Sequence, residues 1–573
     1  MRPLIKRRHA NTKNPLPNIH PVLQRIYVAR NIDTETELTR ELDKLHPFGT
    51  LCNIDQAAQR LADAIFKDER ILIVGDFDAD GATSTAVAVR ALKSFGAKNV
   101  DYIVPNRFSF GYGLTPELVE YAHKNVPTVI LTVDNGIANH AGVNAAKNLG
   151  MAVIITDHHL PAETLPNADV IVNPNQPNDP FPSKCLAGVG VVFYVMLALR
   201  RHLLAINWFE THAIPQPNMS RLLDLVALGT VADVVPLDQN NRILVHQGLL
   251  RIRQGQCAPG IIGLLETAQR DFTRVTASDL GYVVAARLNA AGRLDDMSLG
   301  IECLLCDDAI EARHKAKQLN SLNEERRNIE FEMQQQALSI LEKWDTKNQI
   351  NWPKGIALFD PTWHQGVIGI LASRIKDRYH RPVIVFAAGL GDEIKGSARS
   401  IAGFHIRDAL AYIDANYPNL IKKFGGHAMA AGLTLHKNDF AAFADAFSQY
   451  ASAQISDDAL QHILWSDGAL DDHELNLETA TLLRDAGPFG QAFPEPLFDD
   501  HFEIVMQRMV GDKHLKLQLR KNKQLLEGIA FFVDQAIWPN HRAQKAHIAY
   551  RLDVNEYKGR SSLQLIVEQI MPI

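Results

Sequence analysis

The stretch ILIVGDFDADGATSTAVAVRALKSFG, residues 71–96, runs from an unbroken apolar segment into a turn carrying Asp76, Asp78 and Asp80 on alternate positions. Small and apolar residues at helical spacing follow. A short run without polar residues reads as a strand buried on both faces, and strand, turn and helix in that order open a parallel α/β unit. Comparable runs recur as VDYIVP at 100, TVILTV at 128, MAVIIT at 151 and DVIVNP at 169, with helical segments between them. Residues 71 to about 235 are therefore expected to form a parallel sheet covered by helices on both faces.

Acidic and histidine residues follow the ends of these runs: Asp134 after VILTV, and Asp157, His158 and His159 after VIIT. In an open parallel sheet the carboxyl ends lie along one edge, where ligands bind, so these residues converge. Carboxylates gathered in a desolvated pocket need a central positive charge. Oxygen and imidazole donors without thiolates fit Mn²⁺, or Mg²⁺, better than structural zinc. A calcium loop is excluded, because the terminal Glu is missing and Ala86 and Val87 enter an apolar helix instead. Several acids suggest two ions, the arrangement that activates water and steadies phosphorus during in-line displacement. A lone DxDxDG is as often a solvated turn, and DHH alone could be a surface histidine pair; finding all of them at strand ends favours a metal site.

The 573 residues suggest several domains, and 46% hydrophobic and 22% charged residues are ordinary for a globular chain. Five scattered cysteines without a CxxC pair, and no apolar leader in MRPLIKRRHA, point to a reducing, cytoplasmic setting. CLAGVGVVFYVMLAL, residues 185–199, is short for a membrane span and stops at Arg200 and Arg201, so it reads as a buried helix. A net charge of −6 argues against a uniformly basic surface, although RRH near the start and KHLKLQLRKNK at 513–523 are local basic clusters; the first reads as a solvated tail. The stretch 307–344 has no Gly or Pro and reads as one or two long helices. A second α/β pattern ends near Tyr450, and five alternating segments after about 455 suggest a small antiparallel, OB-like barrel. The expected organisation is an N-terminal extension (1–45), a parallel-sheet domain (46–306), a helical connector (307–345), a second α/β domain (346–452) and the barrel (453–573).

DFDADG, VDNG, DHH and GTVADVVPL, in this order, resemble the four motifs of the DHH phosphoesterase superfamily. With WHQGVIGILASR, GSARS and GGHAMAAG, almost the whole chain resembles the RecJ branch, exonucleases specific for single-stranded DNA. That resemblance implies DHH, DHHA1 and OB-like domains in turn. It makes Asp78 and Asp80 metal ligands, with Asp76 binding or supporting metal where the superfamily has a more distant histidine. Asp134 would bridge the two ions, His158 would be the histidine ligand, Asp233 would complete the second ion's shell, and His159 would face the scissile phosphate. For Asp233 alone, a helix-capping role is the plain alternative.

For phosphate and DNA the resemblance points to Arg107, Arg293, Ser397, Arg399, Ser400, Gly425, Gly426 and His427, with His364 and Arg374 weaker candidates. A turn before an AMAAG helix is the plain reading of the glycine pair. Phe108, Phe110 and Tyr112 could stack bases or belong to the core. Lys513, Lys516, Arg520, Lys521 and Lys523 offer the barrel a basic face, or else a solvated hairpin. The implied activity is 5′-to-3′ hydrolysis of single-stranded DNA to mononucleotides with two divalent ions, Mn²⁺ preferred or Mg²⁺. The implied setting is recombination and DNA repair, by a monomer with no membrane association, alongside single-strand-binding protein and a RecQ-type helicase. Another DHH hydrolase, acting on pyrophosphate, a cyclic dinucleotide or short oligonucleotides, would keep the same ligands. A noncatalytic scaffold of the Cdc45 type would not need them.

Overall fold

The chain opens with a short strand, Leu4–Arg7 (β1), whose partner is remote; the first core strand is Ile71–Val74 (β2), buried at every residue. The computed structural model describes residues 3–8, 16–107, 110–347, 352–511, 513–557 and 559–573. Val100–Ile103 (β3), Val129–Val133 (β4), Ala152–Thr156 (β5) and Val170–Val172 (β6) join β2 in a sheet of order β3-β2-β4-β5-β6. All its pairings are parallel, as the continuous apolar runs require. From β2 the chain crosses outward to β3 and returns to β4 on the other side, so the order reverses between β2 and β4 and opens a crevice at their carboxyl ends.

The helix Ala79–Ser94 starts in that crevice, with the Asp78 carboxylate accepting from the Gly81 amide at 3.0 Å as its N-cap. The apolar run at 185–199 forms the helix Gly188–Ala205, which is mostly buried and packs on Ala79–Ser94 inside this domain. Residues 309–347 form one helix, Ala309–Lys347, leading to the second domain.

There Ile356–Phe359 (β7), Val383–Ala388 (β8), Glu393–Arg399 (β9), Lys423–Gly426 (β10) and Ala430–His436 (β11) form a sheet of order β10-β11-β9-β8-β7, parallel only between β7 and β8. The expected AMAAG helix is instead the start of β11. Gly425 and Gly426 in β10 face Gly432 and Ala431 across the ladder, and pairing on both edges of β11 outweighs the helix propensity of its alanines.

Ile463–Ser466 (β12) precedes the closed barrel of Phe498–Val510 (β13), His514–Lys521 (β14), Gln524–Ala530 (β15), Lys545–Tyr557 (β16) and Arg560–Pro572 (β17), in the order β13-β14-β15-β17-β16. Each of the five alternating sequence segments is one barrel strand. The barrel is not wholly antiparallel, since β15 and β17 run parallel. The basic start of the chain is also no solvated tail: β1 pairs in parallel with β12, Arg7 bonds Asp499 at 2.9 Å, and Arg8 lies 3.4 Å from Asp467. Asp467 is bound by the buried Arg30 as well, so the two ends of the chain are fastened together.

Candidate metal and phosphate site

The carboxyl ends of β2, β4 and β5 deliver the predicted acids to one place. Donor atoms of Asp76, Asp78 and Asp134 lie within 4.8 Å of one another, as do those of Asp80, His158 and Asp233, and those of Asp134, His158 and His159. Two ligand groups thus sit side by side, with Asp134 reaching towards both. His158 Nε2 is 3.1 Å from Asp134 Oδ1 and 3.4 Å from Asp233 Oδ2, yet makes a hydrogen bond to neither. Asp76 Oδ1 and Asp134 Oδ1 are likewise buried without a hydrogen-bond partner. Buried acceptors left unsatisfied and aimed at a common point are what a pair of divalent cations would satisfy. Asp233 follows the last residue of the helix Leu223–Ala232, at its C-terminal end, where a carboxylate is no N-cap.

Local structure holds these groups rigidly. Asp80 accepts from the amides of Gly188 and Val189 at 2.8 and 3.0 Å, so it caps the buried helix while facing the site. Asp134 adopts a left-handed backbone, φ 63°, a strained choice for a non-glycine residue of the kind found at functional sites. Asn135, fully buried, donates to the carbonyls of Val74 and Val133 at 3.0 and 2.9 Å and ties the ends of β2 and β4 together.

Without a cation the cluster is electrostatically frustrated. Burial and then the neighbouring Asp78 carboxylate push Asp80 up to about 7, and the same two causes raise Asp76 well above the carboxylate range. Burial raises Asp134 and Asp233 strongly too, with Asp80 as the next cause. Burial lowers His158 to about 3, so its imidazole is neutral and free to ligate. His159 behaves oppositely. Burial would lower it, but its Nδ1 lies 2.8 Å from Asp157 Oδ1, and that bond with the surrounding carboxylates raises it to about 9. Asp157, which burial would raise, is brought down to about 2 chiefly by His159.

A cleft of about 320 Å³ opens beside the metal centre, between the two α/β domains, and Arg107, Arg293, Ser397 and Arg399 all line it. Among the described residues none of the three guanidiniums has a carboxylate within ion-pair distance. Burial lowers all three, Arg293 to about 9 with Arg107 and Arg399 as the next causes. Cations forced together without counter-charges form an anion site. Arg107 lies 4.1 Å from the Phe77 ring centre, Arg293 donates to the Gly366 carbonyl at 3.2 Å, and Arg399 to Ser397 Oγ at 3.2 Å. A larger cavity, about 870 Å³ around Arg221, Arg251 and Asp224, has no residue in common with this cleft.

His427, beyond the Gly425–Gly426 pair, stacks on His159 with ring centres 6.5 Å apart, so the second domain reaches the metal centre. Ser400 does not reach the cleft: it is buried and donates to the Phe404 carbonyl at 2.5 Å, fixing a turn. Arg374 is held by Glu330 of the long helix at 2.7 Å, and His364 Nδ1 accepts from the Gly366 amide at 3.1 Å. On the barrel, Lys516 pairs with Glu527, Arg520 with Glu503, and Lys521 with Asp500, so the expected basic face is largely neutralised, leaving Lys513 and Lys523 exposed. Phe108 lies outside the described residues. Tyr112, read as a stacking or core residue, holds the site: its hydroxyl is 3.3 Å from both the Asp134 carbonyl and His159 Nδ1. Asp157 is expected at the site from its place after β5, but the sequence assigns it no particular role beside the two histidines that follow. Its signal is the position itself, the first polar side chain after β5, where it accepts from the amides of Ile137, His158 and His159.

The DHH family, N-terminal domain, model matches residues 70–230, the DHHA1 domain residues 353–453 and the RecJ OB domain residues 466–569. The chain is 52% identical over 572 residues to the single-stranded-DNA-specific exonuclease RecJ of Escherichia coli, covering 99% of each chain. It is 31% identical to that of Bacillus subtilis, over 96% of this chain and 68% of the relative. The crystal structure of RecJ in complex with Mn²⁺ from Thermus thermophilus superposes with a TM-score of 0.80 at 30% identity, over 97% of this chain and 76% of that one.

Proposed function

The chain belongs to the RecJ family, and from that premise we infer that it is a metal-dependent exonuclease specific for single-stranded DNA. The observation that carries this most directly is the pairing of two unsatisfied acid and histidine groups with a cleft of uncompensated arginines. Asp76, Asp78 and Asp134 would hold one ion, and Asp80, His158 and Asp233 the other, with Asp134 shared. Mn²⁺ or Mg²⁺ bound there supplies Lewis-acid activation of water and neutralises charge on the phosphoryl oxygens.

The protein's own groups do the rest. Arg107, Arg293 and Arg399 bind the phosphate of the terminal nucleotide in the cleft and fix its register. His159, kept protonated and oriented by Asp157, donates a hydrogen bond to a nonbridging oxygen as charge develops there. His427 closes the site from the second domain. A cleft walled by both domains would hold a single strand by its terminal phosphate, and a duplex should not fit. Digestion from the 5′ end to mononucleotides in recombination and repair, by a cytoplasmic monomer working with single-strand-binding protein and a RecQ-type helicase, is the finer reading; family membership supports it.

End-labelled single-stranded and duplex DNA incubated with Mn²⁺ or Mg²⁺ provides the test. Mononucleotide release from 5′-labelled single strands, absent in Asp134→Ala, is expected. Equal cleavage of duplex, or activity only on pyrophosphate or a cyclic dinucleotide, would refute the assignment.

A further inference from the structure

Tyr282 presents its side chain to solvent, 83% exposed, and among the described residues its ring meets no other aromatic ring or cation. Burial is the usual fate of an aromatic side chain in a core element, so this exposure needs a reason. The backbone there is unusual as well. Leu280–Val284 is a π-helical turn that runs directly into the helix Ala285–Leu294, and such turns concentrate at functional sites.

Its neighbours connect it to the reaction. A Cβ on Gly281 would lie 3.2 Å from Val231 Cγ1 and 3.9 Å from the Val231 carbonyl oxygen, the same oxygen that accepts from the Val234 amide at 3.2 Å. Gly281, the residue before Tyr282, thus packs against the turn that carries Asp233. Val234, the residue after Asp233, is itself 62% exposed with φ 60°, strained for a β-branched residue. Further along the same helical stretch, Asn289 Oδ1 accepts from the Ala79 amide at 2.8 Å, and Arg293 enters the phosphate cleft. Tyr282 and Arg293 are 11 residues apart, about 16 Å at helical rise, and the contact of Asn289 with Ala79, in the turn that carries Asp78 and Asp80, falls between them. Arg287 Nη1 donates to the Val283 carbonyl at 2.8 Å, next to Tyr282, and its Nε to Asn320 Oδ1 of the long helix at 3.1 Å, while no described carboxylate is within ion-pair distance of it.

We propose that Tyr282 is a base-stacking platform for the single strand on the side of the metal centre away from the arginine cleft, with Arg287 facing the adjoining backbone phosphate. A ring for a base beside a cation for the backbone is the sequence-tolerant way to hold a single strand. Tyr282 acts by positioning, not in the chemistry, and the proposal rests on the single-strand exonuclease assignment.

Oligonucleotides carrying 2-aminopurine at successive positions, bound to the full chain with metal withheld, test it. One position should lose fluorescence on binding; the loss should vanish in Tyr282→Ala and return in Tyr282→Phe. With Mn²⁺ added, Tyr282→Ala should raise KM for single-stranded DNA about 10-fold, the size expected of one stacked base, and leave kcat unchanged. Quenching and KM in Tyr282→Ala equal to those of the unaltered protein, or a fall in kcat alone, would overturn the proposal. An unaltered protein that fails to degrade single strands would instead overturn the function on which it rests.

Discussion

Replacing Gly188 by alanine should displace Asp134 and cut the rate. Gly188 is the first residue of the buried helix, and a Cβ built on it would sit 2.5 Å from Asp134 Oδ1 and 2.6 Å from Asp134 Cβ. Ordinary van der Waals contact begins near 3.4 Å, so Asp134 must retreat by about 1 Å, and a displacement of that size at a reacting centre costs about 100-fold in rate, or about 2.7 kcal/mol of barrier. Folding bears a cost too, because Asp134 Cβ is one bond from the backbone and the end of β4 must shift with it, about 1–3 kcal/mol for overpacking of this kind. Thermal unfolding should therefore fall by several degrees with the chain still folded at assay temperature, while kcat on single-stranded DNA falls about 100-fold and KM moves little. A Gly188→Ala protein with kcat within about 2-fold of the original would refute the placement of Asp134 as a shared ligand. A protein that failed to fold would show that the helix start tolerates no displacement.

Asp157→Asn should lower kcat by about 10- to 100-fold, a cost of the size seen on removing groups that orient site histidines, with single-strand binding measured by fluorescence anisotropy unchanged. Arg293→Ala should raise KM about 10-fold, within the range for a charge-assisted phosphate contact, and make the salt dependence of binding shallower. Mn²⁺ should raise the thermal unfolding temperature by binding only the folded chain, and Asp134→Ala should abolish that rise. Asp499 is held down to about 2: burial would raise its carboxyl, but hydrogen bonds from Arg7, Ser466 and His547 outweigh it. Its stabilising contribution is complete above the unfolded carboxylate range near pH 4 and is lost as pH falls through about 2. Acid denaturation of Asp499→Asn followed by circular dichroism should accordingly be less steep across that window.

The core strands were legible because burial on both faces leaves a continuous apolar run, and the metal ligands because parallel strands end along a single edge. What could not be read was set by distant partners. β1 pairs with β12 from the other end of the chain, and no local pattern in LIKR announces a strand docked there. Arg520 stands directly across from Glu503 in the β13–β14 ladder, and only the register shows that its charge is compensated. The AMAAG alanines favour a helix in isolation and become a strand because β9 and β10 flank them. Ser400 carries the residue type suited to phosphate, but its neighbour Arg399 ends β9, and the chain turns it inward to Phe404. Asp157 is legible in place but not in role: the strand-end pattern puts it at the site, and only the structure shows its carboxylate bonded to His159 Nδ1.

The central claim is that two divalent ions occupy the crevice with Asp134 between them. Anomalous diffraction from crystals of the protein soaked in Mn²⁺ tests it most directly. Two peaks are predicted, one within coordination distance of Asp76, Asp78 and Asp134, the other of Asp80, His158, Asp233 and Asp134. A single peak, or two peaks that leave Asp134 or Asp233 uncoordinated, would contradict it.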